Sequence, residues 1–170
     1  MSNQPKSEEY SPFHHNYISK LGDGDIVAIL SELKDSSYNF LNTIPAAKAD
    51  YAYAEGKWTI KEVIGHMIDA ERTFAYRVLA FSRGQKELPG FEEDEYVEKS
   101  TFSSRAMVDL IEEFRLVREA NLFLFRSLTP QQLLATGIAN GNIISVRALL
   151  YIAAGHEMHH INLIKERYLI

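Results

Sequence analysis

The stretch Ala154-Gly155-His156-Glu157-Met158-His159-His160-Ile161 decides how this chain is read. His156 and His160 stand four residues apart, so a helix stacks them about 5.4 Å from one another along one face. That is the spacing at which two imidazoles hold one metal ion. Leu149, Leu150, Ile152 and Ala153 before them, and Leu163 and Ile164 after them, recur with helical period. The pair therefore faces the interior or its edge rather than open solvent. With His156 set at zero and about 100° per residue, His160 falls at about 40°, Glu157 at about 100° and His159 at about 300°. Glu157 and His159 flank the ligand face about equally, and both are candidate catalytic residues.

Working back from this helix, Ser145 supplies its cap, and Gly137 to Asn142 reads as a turn. Thr129-Pro130-Gln131-Gln132 starts a short helix, with proline at the first helical position. Met107, Leu110, Ile111, Phe114, Val117, Leu124 and Leu128 mark the inner side of a long helix from about Ser103 to Leu128. Thr59-Ile60-Lys61-Glu62 is a capping box, with Trp58 placed to staple onto Val63. Ile60, Val63, Ile64, Met67, Phe74, Val78 and Phe81 carry the buried face of that helix as far as Gly84. Ile26, Ile29, Leu30, Leu33, Phe40, Leu41 and Ile44 mark another, capped by an aspartate of Gly22-Asp23-Gly24-Asp25 and ending before Pro45. Residues 12–21 hold at most a short helical turn, and the polar residues 1–11 read as a flexible tail.

Four long amphipathic helices, one extra short helix and no convincing strand pattern predict an all-α four-helix bundle over residues 12–170. The irregular stretch 84–102 is long enough to cross the bundle, which admits an up-down-down-up order. Composition narrows the function. There is no cysteine, so a metal site is left with His, Asp, Glu and water. A net charge of -5 without a basic run argues against nucleic acid as a partner. Met1 to Lys6 lacks the apolar core of a signal peptide, and no apolar run approaches the roughly 20 residues that span a bilayer. The expectation is a cytoplasmic protein with no membrane partner.

His66 is the third candidate ligand, alone on the helix that starts at Thr59. Ala70, one turn on, leaves room beside it, and Asp69 is a candidate acceptor for a ligand N–H. Three neutral histidines suit Zn, Ni, Fe or Mn and leave positions open for water or substrate. The plain alternative is a set of core or half-exposed histidines whose hydrogen bonds are met by the protein. His156-Glu157-Met158-His159-His160 is also a literal H-E-x-x-H, in which the glutamate serves metalloproteases as general base. That reading is weak: zincins take a third ligand from downstream, and only ten residues follow His160. Arg77 lies on the His66 face, about three turns along, as an anchor for an anionic group or an interhelical salt bridge. Glu71 and Arg72 read as structural, Glu92 to Glu95 as a solvated loop, and His14 and His15 as solvated side chains.

The residues from Lys57 to Arg72, together with Leu88-Pro89-Gly90-Phe91, Gly155 to His160 and Glu166-Arg167-Tyr168-Leu169, resemble the signatures of the DinB-like (DinB/YfiT) superfamily. The resemblance runs over roughly residues 17–169. It implies an up-down-down-up four-helix bundle, a divalent metal on His66, His156 and His160, and a homodimer. Members include metal-dependent hydrolases and enzymes in which the metal activates a low-molecular-weight thiol for transfer to an electrophile or for isomerisation. It thus implies a small-molecule substrate and, as in the thiol-dependent members, a low-molecular-weight thiol cosubstrate. A non-catalytic binding or stress-response module, or a dimeric scaffold without metal, is the competing class.

Overall fold

A computed structural model describes residues 4–169. Helices α1 (His15–Ile18), α2 (Ile26–Leu41), α3 (Ile60–Ser82), α4 (Glu93–Glu98), α5 (Met107–Arg126), α6 (Pro130–Leu133) and α7 (Val146–Leu163) are joined by strands β1 (Glu87–Leu88), β2 (Thr136–Ala139) and β3 (Asn142–Ser145). A single π-helical stretch, Ile164–Tyr168, continues α7. The start signals act as expected. Asp25 accepts a hydrogen bond from the Val27 N–H, and Thr59 and Glu62 close a reciprocal capping box. Ser145 accepts from the Ala148 N–H at the head of α7.

The contacts between helices fix the topology. Numbers rise together along α3 and α5: Lys61 donates to the Ser103 carbonyl just ahead of α5, and Glu71 pairs with Arg118. They also rise together along α2 and the α7 rod, where Tyr151 reaches Gly24 and Lys165 lies over Phe40. They run oppositely between α2 and α5, where Leu30 accepts from Arg118 and Tyr38 stacks under Arg115. They run oppositely again between α3 and α7, where Phe74 meets His156 and Trp58 meets Tyr168. The order is therefore up-down-down-up, with each of α2 and α3 packed on both α5 and α7.

A small sheet was not expected. β1 pairs parallel with β2 (Leu88 opposite Ala139), and β2 pairs antiparallel with β3 (Thr136 opposite Ser145). The segment 137–142 is thus a hairpin rather than a plain turn. Its two-residue loop, Asn140-Gly141, has positive φ at both positions, the backbone that Asn-Gly supplies in a type I′ hairpin. The N-terminal segment differs too. Residues 1–3 lie outside the described part, but Glu9 is held by Ser145 and Arg147, and Tyr10 is buried. The core falls into two apolar clusters, one around Leu30, Val78, Leu122 and Leu149, the other around Leu41, Ile64, Phe114 and Ile161. Between them every long helix contributes polar side chains: Ser37, His66, Glu71, Arg118, His156, Glu157 and His160. Among the described residues no helix is long and apolar enough to cross a membrane.

Candidate metal centre

The three histidines named from sequence meet in that polar layer. His66 Nε2 lies 2.9 Å from His156 Nε2, and His160 Nε2 lies 3.1 Å from the same atom. His66 is 2% exposed and the other two 7%, so their mutual approach is not a surface accident. Burial pushes the His66 pKa down to about 4, with His159 adding repulsion. Burial, then the neighbouring histidines, hold His156 and His160 well below the usual imidazole range. At neutral pH all three rings are uncharged and carry a lone pair.

This donor set fits a divalent ion. Two neutral imidazole nitrogens, each about 2.1 Å from a shared ion, stand about 3 Å apart at a right angle, close to the observed spacing. Without an ion the three nitrogens have only each other, and three rings cannot satisfy one converging point with N–H donors. The Nδ1 atoms of His66 and His160 are buried with no hydrogen-bond partner among the described residues. Asp69 does not serve His66. Its carboxyl is half-buried, with a pKa raised by burial, and its backbone carbonyl accepts from Thr73.

The rings are packed by aromatic side chains from several elements. Trp58 lies 4.8 Å from His66 and packs on the apolar cluster that contains Val63. Phe91 stacks parallel to His66 at 6.4 Å, which gives the Leu88 to Phe91 loop a place in the site. Phe74 and Tyr17 meet His156 edge-on, at 5.6 and 5.8 Å. Gly155 permits the Tyr17 contact, since a Cβ there would overlap the Tyr17 carbonyl. His156 and His66 open onto a pocket of about 290 Å³ that also takes in Ala70, Arg77, His14 and Glu93.

The flanking residues part ways. Glu157 is fully buried and turns to Arg118, whose Nη1 lies 2.7 Å from its Oε2, but neither of its oxygens has a hydrogen bond of good geometry among the described residues. Arg118 also grips Glu71 through Nε (2.8 Å) and Nη2 (2.9 Å), with Asn121 donating to the same carboxylate. Burial opposes the Glu71 anion, but Arg118 and Asn121 outweigh it and hold its pKa low. For Glu157 burial wins and its pKa is raised, because Arg118 reaches it with one contact rather than a fork. His159 is half-buried, stacked edge-on against His160 and Tyr17, with its pKa lowered by burial and Lys20.

Three residues escape the sequence reading. Arg118 stands four residues after Phe114 and four before Leu122, on the apolar stripe of α5, and that placement is a signal of a buried charge. His14, expected in solvent, lines the pocket, and its Nδ1 is buried without a partner. Tyr17 sits on a four-residue helix too short to show a period. Arg77 forms no interhelical salt bridge among the described residues; it donates to the Pro89 carbonyl at 3.2 Å.

Comparison with known proteins agrees with this architecture. The chain superposes on YfiT from Bacillus subtilis, described as a probable metal-dependent hydrolase with an unusual four-helix bundle topology. That match has a TM-score of 0.73 at 19% identity, over 95% of this chain and 89% of that one. A mycothiol-dependent maleylpyruvate isomerase matches with a TM-score of 0.70 at 11% identity, over 85% of this chain and 61% of its own. A DinB-like protein from Bacillus subtilis matches with a TM-score of 0.60 at 20% identity, over 84% and 87%. No curated protein is similar enough in sequence to match. The sequence pattern of the DinB superfamily covers residues 29–164, which takes in all three histidines, and the chain belongs to that superfamily.

Proposed function

We propose that the protein is a metal-dependent enzyme in which His66, His156 and His160 hold one divalent ion, and that its reaction transfers a low-molecular-weight thiol to an electrophile. The observation that carries the reading is the convergence of three buried, uncharged imidazole nitrogens at the end of a pocket. Bound there, a divalent ion supplies Lewis acidity that lowers the pKa of a thiol or a water. The chain's own residues hold the three rings in place and screen them. Phe74, Tyr17, Phe91 and Trp58 restrict water around them, and Ala70 keeps the pocket open beside His66. His159, at the edge of the layer, is a proton carrier in this reading, and Glu157 a positioning residue rather than a base, since it faces Arg118.

Hydrolysis through an activated water is the second reading, favoured by the likeness to YfiT; thiol chemistry is favoured by the likeness to the mycothiol-dependent isomerase. Zn, Ni, Fe and Mn all suit three histidines. A cytoplasmic homodimer completes the proposal. The test is to reconstitute the protein with each metal and follow thiol loss with an aryl halide electrophile, beside hydrolysis of activated esters. Metal-dependent thiol consumption that disappears in His66→Ala supports transfer. Ester hydrolysis alone would transfer the conclusion to the water reading, and neither activity with any metal would overturn both.

A further inference from the structure

The α3 wall of the pocket is a stripe on one helix face: His66, Ala70, Phe74 and Arg77. These are spaced by four, four and three residues, so each stands about one turn beyond the last. Their chemistry changes in order along the helix: a ring of the histidine cluster, a gap, an apolar plane, and a cation. About 16 Å of helix rise separates His66 from Arg77. Helical side chains lean towards the N-terminus, so Arg77 leans back along the stripe towards His66.

Arg77 is a half-buried guanidinium with unspent capacity. Its hydrogen-bond partner is the Pro89 carbonyl, which takes one of five N–H donors. Burial lowers its pKa, and no carboxylate of the described residues offsets that penalty. Charges removed from water are ordinarily paired. Glu93 lines the same pocket but forms no salt bridge or hydrogen bond with Arg77 among the described residues. His14 shares the pocket, and burial together with the guanidinium lowers its pKa, so it stands beside Arg77 as an uncharged ring from a second element. Phe13 and Ile143, both largely exposed, line the pocket too and add apolar surface.

We infer that the pocket takes a substrate with an apolar middle and a carboxylate at its far end, the carboxylate seated on Arg77 and the reacting end at the histidine cluster. This rests on the proposed function for its claim that the bound molecule is a substrate. The molecule lies along the stripe, with Phe74 against its middle. An arginine gripping a carboxylate by two N–H donors also fixes direction, which a lone apolar groove does not.

The test is calorimetric titration of the metal-free and the zinc-loaded protein with straight-chain carboxylates from butanoate to decanoate, each beside its primary amide. For at least one length, metal-free wild type should bind the carboxylate about tenfold or more tightly than the amide. Arg77→Gln should abolish that preference, Arg77→Lys should keep part of it, and His66→Ala should leave it intact; melting curves establish that each variant is folded. No preference at any length, or one that survives Arg77→Gln, would overturn the inference. A preference seen only with zinc and indifferent to Arg77→Gln is carboxylate binding to the ion, which overturns this assignment and leaves the metal reading standing. An Arg77-dependent preference in a protein that takes up no metal does the reverse.

Discussion

Two clusters of buried polar groups share the middle layer of the bundle, and they are solved in different ways. In one, Arg118 lies between Glu71 and Glu157, and Asn121 and the Leu30 carbonyl take up further hydrogen-bonding capacity. In the other, three histidine nitrogens converge on one another, and two Nδ1 atoms have no partner among the described residues. Neighbouring residues of α7 supply both: Glu157 turns to the first, His156 and His160 to the second. The first cluster closes its charges within the protein through Arg118, with both Glu157 oxygens lacking a hydrogen-bond partner of good geometry among the described residues. The second gathers three neutral ring nitrogens at one point that no charge of the protein fills. Charge links them, for one guanidinium between two carboxylates leaves a net negative charge when both ionise, and a divalent cation on three neutral rings beside it offsets that excess.

The largest expected effect breaks the closed cluster. Arg118→Leu strands two buried carboxylates and should destabilise the fold by about 3–5 kcal/mol in urea unfolding. Adding Glu71→Gln and Glu157→Gln should recover part of the loss. A loss below about 1 kcal/mol would mean the cluster does not hold the layer together.

The histidine cluster should respond to pH instead. A depressed histidine pKa means the unfolded chain takes up protons first as pH falls. The metal-free protein should therefore lose stability from about pH 6.5, the unfolded value, down to about 4, the folded value of His66. His66 alone accounts for roughly 3 kcal/mol over that window. Glu157, with a raised pKa, works in the opposite direction near the acid end. Urea midpoints between pH 7 and 4.5 that stay flat in the metal-free protein would contradict the buried, neutral rings.

Gly155→Ala sharpens the comparison from the side of α1. Its Cβ would press on the Tyr17 backbone, and the variant should lose about 1–3 kcal/mol while loosening the lid of Tyr17 over His156. Denaturation and proton spectra of the tyrosine ring read both effects. The smallest effect is expected from His156→Leu in the metal-free protein. It swaps a buried ring whose Nε2 meets only the two other histidines for an apolar side chain and should change stability by less than about 1 kcal/mol, in either direction. A loss as large as that of Arg118→Leu would erase the distinction between the clusters.

What the sequence discloses follows from the range of the interactions. The caps at Asp25, Thr59 and Ser145 and the apolar stripes of α2, α3, α5 and α7 are local, and they read correctly. The histidine triad is legible because i,i+4 spacing on one apolar helix and a lone histidine on another is a short pattern. Its closure by Tyr17, Phe91 and His14 is not legible, since each arrives from a segment without a period. The sheet escapes for a related reason. β2 and β3 are four residues each, and β1 pairs with β2 across some fifty residues of chain, although Asn140-Gly141 is a recognisable hairpin signal. Arg118 was readable in principle as a charge on a core stripe.

The central claim is that the open cluster is a metal site. The most direct measurement is the metal content of untagged protein by elemental mass spectrometry, after reconstitution with Zn, Ni, Fe or Mn, beside His66→Ala and His160→Ala. One ion per chain in the wild type, lost in both variants while their helical content persists, is the predicted result. No bound metal in the wild type under any of these conditions, or full binding in the variants, would contradict it.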